Sequence, residues 1–258
     1  MTKVYVDAGH GGSDPGAVKY VTERDVNLVM ALACRDYLQA NGVSVKMSRT
    51  SNSTNTSIND MAAEANKWGA DFVISIHNNA GGGDGFEVYH TINGGKGKTL
   101  AKNIEAEVKK IGQNSRGLKT KKNSSGTDYF GMIRLTDAPC VICEGVFVDN
   151  KTDVKIADTA AEQKAFGYAY ARGILKTAGI KDNGLAGTAT EGTKKPASGS
   201  YLVQVKIKDL YIRKGPGTKY ANKGFIKPGV YTIVQTDGRW GKLKSGAGWI
   251  CLDYTERL

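Results

Sequence analysis

The stretch Val4-Tyr5-Val6-Asp7-Ala8-Gly9-His10 predicts a buried β-strand that ends at a histidine, because it is a short apolar run followed by glycines. A second run, Phe72-Val73-Ile74-Ser75-Ile76, leads to His77 in the same way. In open α/β sheets, ligands bind at the carboxyl ends of the strands. Either histidine alone is better explained as a hydrogen-bonded residue at a strand end. The pair, together with the acidic residues below, favours a metal site.

Glu23 is the candidate for a third metal ligand. The stretch Thr22-Glu23-Arg24-Asp25 opens a helical pattern, and Thr22 is predicted to cap this helix with Asp25 in a capping-box-like position. Glu23 then lies in the first helical turn, a short loop beyond His10. Two histidines with one glutamate form a known ligand set of hydrolytic zinc sites. A first-turn glutamate that compensates the helix dipole is the simpler alternative.

Glu144 is the candidate for a general base. It lies in the apolar run Ala138-Pro139-Cys140-Val141-Ile142-Cys143-Glu144-Gly145-Val146-Phe147. An unpaired carboxylate is unfavourable in such a strand, so its presence indicates a functional role.

The first 180 residues alternate between strand-like and helix-like patterns. This alternation predicts an α/β fold with a mixed, largely parallel twisted sheet flanked by helices. The predicted strands beyond the first and the His77 strand are 43–47, 86–90, 129–134 and 141–148, and the predicted helices are 25–40, 57–68, 97–111 and 159–178. Residues 114–128 are predicted to form a loop, and His90 is predicted to lie at the surface.

Four motifs in the order found here resemble those of zinc-dependent N-acetylmuramoyl-L-alanine amidases. They are Val-Asp-Ala-Gly-His-Gly-Gly-x-Asp-Pro-Gly-Ala (6–17), Glu-Arg-Asp-Val-Asn-Leu (23–28), Ser-Ile-His-x-Asn-Ala (75–80) and Glu-x-x-Phe-x-x-Asn (144–150). The resemblance covers about residues 1–178 and implies that His10, Glu23 and His77 bind Zn²⁺ and that Glu144 is catalytic. Two positions depart from the family's pattern. Met61 stands where many relatives have arginine, and Val146 stands where glycine is usual.

The resemblance implies a peptidoglycan hydrolase that cleaves the amide bond between N-acetylmuramic acid and L-alanine. A phage endolysin is the favoured setting, and a bacterial autolysin or sporulation amidase is the alternative. A zinc peptidase acting on the stem peptide would use the same metal and base. A wall-binding protein without activity is disfavoured, because all four proposed site residues are present.

The last part of the chain differs in composition from the first 180 residues. Residues 181–199 are rich in Gly, Thr, Ala and Ser and are predicted to form a flexible linker. Residues 200–258 have an all-β pattern and resemble the SH3-type domains of bacterial wall-lytic enzymes. The resemblance rests on the turn within 210–217 and on Gly248-Trp249. Four aromatic residues could line a peptide groove, although about half are expected in the core: Tyr211, Tyr220, Trp240 and Trp249.

The charge is concentrated at the C-terminal end. The net charge is +11, and the residues from Ser198 onward contain 11 Lys and Arg against 4 Asp and Glu. A basic module predicts a polyanionic partner. No nucleic-acid-binding motif accompanies the charge, so an anionic bacterial wall is favoured over nucleic acid.

No membrane insertion is expected, because no apolar stretch approaches the roughly 20 residues that span a bilayer. The N-terminal residues lead directly into the first strand without an apolar signal region. We therefore expect synthesis in the cytoplasm without a signal peptide and action on the wall after release. The oligomeric state is left open.

The chain has four cysteines: Cys34, Cys140, Cys143 and Cys251. The Cys140-x-x-Cys143 spacing could indicate redox or zinc chemistry. In an apolar strand, however, alternate residues face opposite sides, so buried thiols without a disulfide are predicted.

Overall fold

The computed structural model describes residues 1–185, 200–208, 210–218, 220–237 and 239–257. The chain divides into two compact units, Met1–Thr190 and Glu191–Leu258. Most of the predicted linker, residues 186–199, lies outside the described residues. The N-terminal unit continues past residue 180, because Asn41 accepts a hydrogen bond from the Asn183 amide and donates one to the Gly184 carbonyl.

The described residues of the N-terminal unit, 1–185, form a six-stranded sheet and five α-helices. The strands are β1 (Lys3–Ala8), β2 (Ser44–Met47), β3 (Phe72–Asn79), β4 (Phe86–His90), β5 (Ser115–Lys119) and β6 (Cys140–Phe147). The helices are α1 (Glu23–Ala40), α2 (Ile58–Trp68), α3 (Gly95–Lys110), α4 (Gly131–Leu135) and α5 (Ala160–Ala178). A short 3₁₀ helix, Asp153–Ile156, follows β6.

The strand order is β2-β1-β3-β6-β4-β5. Strands β2, β1, β3 and β6 are parallel, whereas β4 runs antiparallel to β6 and parallel to β5. This confirms the predicted mixed α/β fold with a central sheet flanked by helices. The carboxyl ends of β1, β3 and β6 therefore share one edge of the sheet with the amino ends of β4 and β5.

Helices cover both faces of this sheet. One core lies against α1, α3 and α5, and its largest fully buried side chains include Met30, Phe86 and Phe166. A smaller core with Tyr5, Met61 and Met132 lies on the face covered by α2 and α4. Apolar burial on both faces explains why the central strands are almost continuously hydrophobic in sequence.

Three local predictions are wrong. Part of the segment 129–134 predicted as a strand belongs to helix α4, where the adjacent residues Met132 and Ile133 are both buried instead of alternating. The segment 114–128 predicted as a loop contains β5, a polar strand at the edge of the sheet. His90 is buried, because β4 is covered on both faces, and its Nδ1 lies 2.8 Å from the Thr91 carbonyl oxygen.

The starts of α1 and α2 are stabilised in different ways. Helix α1 begins at Glu23, as predicted, but the Thr22 side chain makes no capping hydrogen bond. Helix α2 begins after Ser57, whose side chain accepts a hydrogen bond from the Asp60 amide. The start of α1 is instead stabilised by backbone contacts with the preceding loop, because the Glu23 amide donates to the Ala17 carbonyl at 2.9 Å.

All four cysteines are buried, and Cys34, Cys140 and Cys143 are free thiols. Cys140 packs in the α2/α4 core and Cys143 in the opposite core. The two thiols of this pair therefore lie on different faces of the sheet, as the strand pattern predicted.

The C-terminal unit contains a seven-stranded sheet with antiparallel neighbours. Its strands are β7 (Tyr201–Val205), β8 (Leu210–Arg213), β9 (Asn222–Ile226), β10 (Gly229–Asp237), β11 (Trp240–Leu243), β12 (Trp249–Cys251) and β13 (Thr255–Arg257). Trp249 is buried and Trp240 packs against the core, whereas Tyr211 and Tyr220 are exposed. Half of the four predicted aromatic residues thus belong to the core.

Among the residues that the structure describes, no helix has the length and apolar character needed to cross a bilayer.

Helix α5 crosses α1 so closely that Gly167 has no room for a side chain. We predict that Gly167→Ala lowers the free energy of unfolding by about 1–3 kcal/mol, because the added methyl group would overlap the Met30 carbonyl oxygen and lie 2.7 Å from Ala33 Cβ. This loss would oppose helix propensity, which favours alanine over glycine by about 1 kcal/mol. Urea unfolding followed by circular dichroism measures the change.

Gly97→Ala in α3 is the matched control, because its added methyl group would come no closer than 3.4 Å to Thr91 Cγ2. This variant should be as stable as the parent or slightly more stable. Equal stability of both variants would contradict the close crossing of α1 and α5.

Candidate active site and metal centre

His10 and His77 approach each other at the carboxyl ends of β1 and β3. Their ring centroids are 5.0 Å apart. The approach requires glycine at position 9, because a Cβ atom there would overlap the His77 ring. It also requires glycine at position 16, where φ is +63° and a Cβ atom would lie 2.6 Å from Glu23 Oε2. The glycines of the first motif therefore make the close approach of the two imidazoles possible.

Both imidazoles point at the same carboxylate oxygen. His10 Nε2 and His77 Nδ1 each lie 3.1 Å from Glu23 Oε1. Candidate ligand atoms of the three residues all lie within 4.8 Å of one another. The structure thus brings together the three residues that the sequence indicated as metal ligands.

The surroundings hold these side chains in place. The Ala17 amide donates to Glu23 Oε2 at 2.9 Å, and the Asn78 amide donates to Oε1 at 3.1 Å. His10 Nδ1 lies 2.8 Å from Asp14 Oδ2. When His10 is neutral, donation from Nδ1 to Asp14 leaves the lone pair on Nε2, the atom that faces Glu23.

The cluster favours positive charge around a buried carboxylate. The hydrogen bond to Glu23 raises the pKa of His10 to about 9, while burial opposes this rise and Asp14 adds to it. Burial would raise the pKa of Glu23, but the hydrogen bonds to His10 and His77 outweigh it and hold this pKa well below its usual range. Burial lowers the pKa of His77, and the hydrogen bond to Glu23 overcomes this effect and raises it.

The donor set fits a divalent transition metal. Two imidazole nitrogens and one carboxylate oxygen converge, and a cation between them would take over the positive charge that protons otherwise supply. The His10 and His77 side chains are 24% and 25% exposed, so the cluster is in contact with solvent. A site of this kind matches catalytic zinc centres, which keep one position open for water.

Glu144 lies beside this cluster without belonging to it. It pairs in register with His77 across β3 and β6, and it is the one partly exposed residue of β6. It accepts no hydrogen bond from the described residues. Burial raises the pKa of Glu144 to about 7. A carboxylate with a pKa near neutrality, beside a metal centre, is suited to general base catalysis.

The sequence pattern does not identify Arg49, a buried residue that supports the cluster. Its guanidinium group donates to the Ala8 carbonyl at 2.7 Å and to the Gly9 carbonyl at 2.9 Å. These two residues directly precede His10, which adopts a left-handed conformation with φ of 65°. Arg49 follows strand β2, and no local feature of the sequence shows that its side chain reaches β1.

Among the described residues, the cavity lined by Thr91, Asp128 and Cys140 contains none of the candidate site residues. It lies at the amino end of β6, whereas the cluster of His10, Glu23 and His77 lies at the carboxyl ends of the parallel strands.

A family model of N-acetylmuramoyl-L-alanine amidases matches residues 4–176. The chain belongs to this family. It is 34% identical over 215 residues to the sporulation-specific N-acetylmuramoyl-L-alanine amidase of Bacillus subtilis, a match that covers 81% of this chain and 79% of the relative. It is 30% identical over 251 residues to an endolysin of Bacillus phage SPP1, and this match covers 93% of the chain and 84% of the endolysin.

The fold agrees with the family. The catalytic domain of CwlV, an N-acetylmuramoyl-L-alanine amidase from Bacillus (Paenibacillus) polymyxa var. colistinus, superimposes with a TM-score of 0.63 and 26% identity over 70% of this chain and 100% of that chain. Together, these matches identify the protein as a peptidoglycan amidase. The two residues of the amidase that depart from the family pattern are both buried. Met61 lies in the smaller core and Val146 in the larger one.

Proposed function

We propose that this amidase is a zinc enzyme in which His10, Glu23 and His77 hold the metal and Glu144 is the general base. The observation that carries the proposal is the convergence of His10 Nε2 and His77 Nδ1 on Glu23 Oε1, each at 3.1 Å. Bound zinc would polarise the amide carbonyl between N-acetylmuramic acid and L-alanine and lower the pKa of a water molecule.

Glu144 would carry the proton through the reaction. Its carboxylate would accept a proton from the attacking water and then donate it to the nitrogen of L-alanine as the carbon–nitrogen bond breaks. The products are the carboxylate of N-acetylmuramic acid and a free amine on L-alanine. A raised pKa suits both steps, because Glu144 must be ionised to accept the proton and acidic enough to return it.

We propose that the C-terminal unit is an SH3-like module that binds the bacterial wall. Its sheet is antiparallel, its sequence is basic, and Tyr211 and Phe225 form an exposed stacked pair with centroids 4.4 Å apart. The similarity to the SPP1 endolysin covers 93% of this chain, so it includes most of the C-terminal unit.

A phage endolysin is the setting that we favour, with the protein made in the cytoplasm and acting on the wall after release. The sporulation-specific relative supports a host amidase as the second setting. In either setting the partner of the catalytic unit is peptidoglycan.

Glu144→Gln should keep zinc and fold but lower turnover by about 10²–10⁴-fold, because it removes the proton acceptor without removing a ligand. Glu23→Gln should instead lose zinc, because it removes an anionic ligand. Metal analysis of both variants and mass analysis of digested peptidoglycan measure the two effects.

The parent protein should generate new amino groups on L-alanine and leave peptide bonds of the stem intact. A Glu144→Gln variant without zinc, beside a Glu23→Gln variant that retains it, would reverse the two roles.

The two units should be separable in function. We predict that residues 1–185 cleave small soluble muropeptides as well as the whole chain does but lyse cells much less, because wall binding raises the local enzyme concentration. Residues 200–258 fused to a fluorescent protein should label susceptible cells. The electrostatic part of this binding should weaken with salt, since the Debye length falls from about 10 Å at 0.1 M to about 3 Å at 1 M.

Circular dichroism of residues 1–185 controls for folding. A fusion that leaves cells unlabelled, together with a shortened enzyme that lyses cells as well as the whole chain, would exclude the targeting role.

A further inference from the structure

A second buried carboxylate, Glu87, lies next to Glu144. The two residues are register partners across β4 and β6, and Glu87 is 5% exposed. Cross-strand partners project from the same face with Cβ atoms about 4.5–5.5 Å apart. A buried carboxylate is unfavourable unless other groups bind it, so the partners of Glu87 indicate why it is there.

Glu87 is bound on both oxygens. Arg116 Nε donates to Oε1 at 2.6 Å, and Lys119 Nζ lies 3.9 Å from the same oxygen. Asn79 Nδ2 donates to Oε2 at 3.2 Å, and the Tyr89 hydroxyl donates to it at 3.3 Å. Glu87 therefore acts as a fixed anchor for the Arg116 side chain.

A β-bulge places Arg116 against Glu87. Phe86 pairs with Ser115 and Val88 pairs with Leu118, so both Arg116 and Gly117 oppose the single residue Glu87. Gly117 has a φ of 88°, which glycine adopts without strain. Bulges of this kind redirect side chains and are frequent beside active sites.

The Arg116 guanidinium group is held in place, but its two terminal nitrogens are not bound by other described residues. Its carbon atom lies 5.3 Å from the centre of the Phe147 ring, and its side chain is 43% exposed. Only Nε is used by Glu87, and the terminal nitrogens make no hydrogen bond to any residue in the described part of the chain. A planar pair of donors in a fixed position is the arrangement that binds a carboxylate through two hydrogen bonds.

The distance between Arg116 and Glu144 corresponds to a few residues of an extended peptide. Strand β5 is two strands from β6, and neighbouring strands lie about 4.8 Å apart, so Arg116 lies about 10 Å from Glu144 along the sheet. An extended peptide advances about 3.3–3.6 Å per residue. In the stem peptide, L-alanine is followed by a glutamate that is linked onward through its side-chain carboxyl group. The side chain of L-alanine is uncharged, so the first anionic group after the cleaved bond is the free main-chain carboxylate of this glutamate.

We propose that Arg116, positioned by Glu87, binds the free carboxylate on the second residue of the stem peptide. The inference rests on the proposed function, because Glu144 marks where the amide bond is cleaved. Arg116 is then a specificity residue that separates peptides with a carboxylate at this position from peptides with a carboxamide.

The test compares two synthetic muramoyl peptides that differ only in this group, carboxylate or carboxamide. The zinc-loaded full chain should have the higher kcat/KM on the carboxylate peptide. Arg116→Gln should lower kcat/KM on that peptide by about 10- to 100-fold, mainly through KM, and leave the carboxamide peptide almost unchanged. Arg116→Lys, which keeps the charge but lacks the pair of donors, should show an intermediate loss on the carboxylate peptide.

Glu87→Gln tests the positioning role. It should reduce the preference for the carboxylate peptide, and the double variant Glu87→Gln/Arg116→Gln should lose no more preference than Arg116→Gln alone. Arg35→Gln is the control, because Arg35 pairs with Asp36 on α1 and the change removes the same charge. It should affect neither peptide.

Equal losses of Arg116→Gln on both peptides, or no loss on either, would overturn the proposal while the amidase reaction of the parent remains. Failure of the parent to release the L-alanine amine from both peptides would instead overturn the proposed function. Thermal melts and zinc content of each variant show whether fold and metal binding are intact.

Discussion

The site depends on one buried anion, the carboxylate of Glu23, on which two imidazoles converge. Glu23 is 4% exposed and accepts hydrogen bonds from the backbone amides of Ala17 and Asn78. A buried carboxylate requires such compensation, and two imidazoles, or a cation between them, supply the remaining positive charge. The glycines at 9 and 16, the unusual backbone at His10 and the buried Arg49 all serve this convergence.

The pairing of strands in the mixed sheet positions Glu144 and Glu87 beside the cluster. Parallel pairing of β3 and β6 places Glu144 beside His77, and antiparallel pairing of β4 and β6 places Glu87 beside Glu144. His77, Glu144, Glu87 and Arg116 thus form a row across four neighbouring strands, β3, β6, β4 and β5. This order places the proposed general base near the centre of the sheet and the proposed peptide-binding group on its edge strand.

The convergence of His10, Glu23 and His77 could be predicted because each residue marks a strong local pattern. His10 and His77 end short apolar strands, and Glu23 begins an amphipathic helix. The Glu87–Arg116 pair could not be predicted, because β5 is a polar edge strand without alternation and a bulge sets its register. Helix α4 could not be predicted for a related reason. Its five residues follow aromatic residues that favour strands, and its burial is set by contacts with α2.

Metal dependence is tested by measuring metal content and amide cleavage on the same sample after exhaustive chelation and after zinc is returned. If His10, Glu23 and His77 hold a catalytic zinc ion, the metal-free protein will not cleave muropeptides, and release of the L-alanine amine will return in proportion to bound zinc until a single equivalent per chain is reached. Full cleavage by a sample with no detectable metal would contradict this prediction.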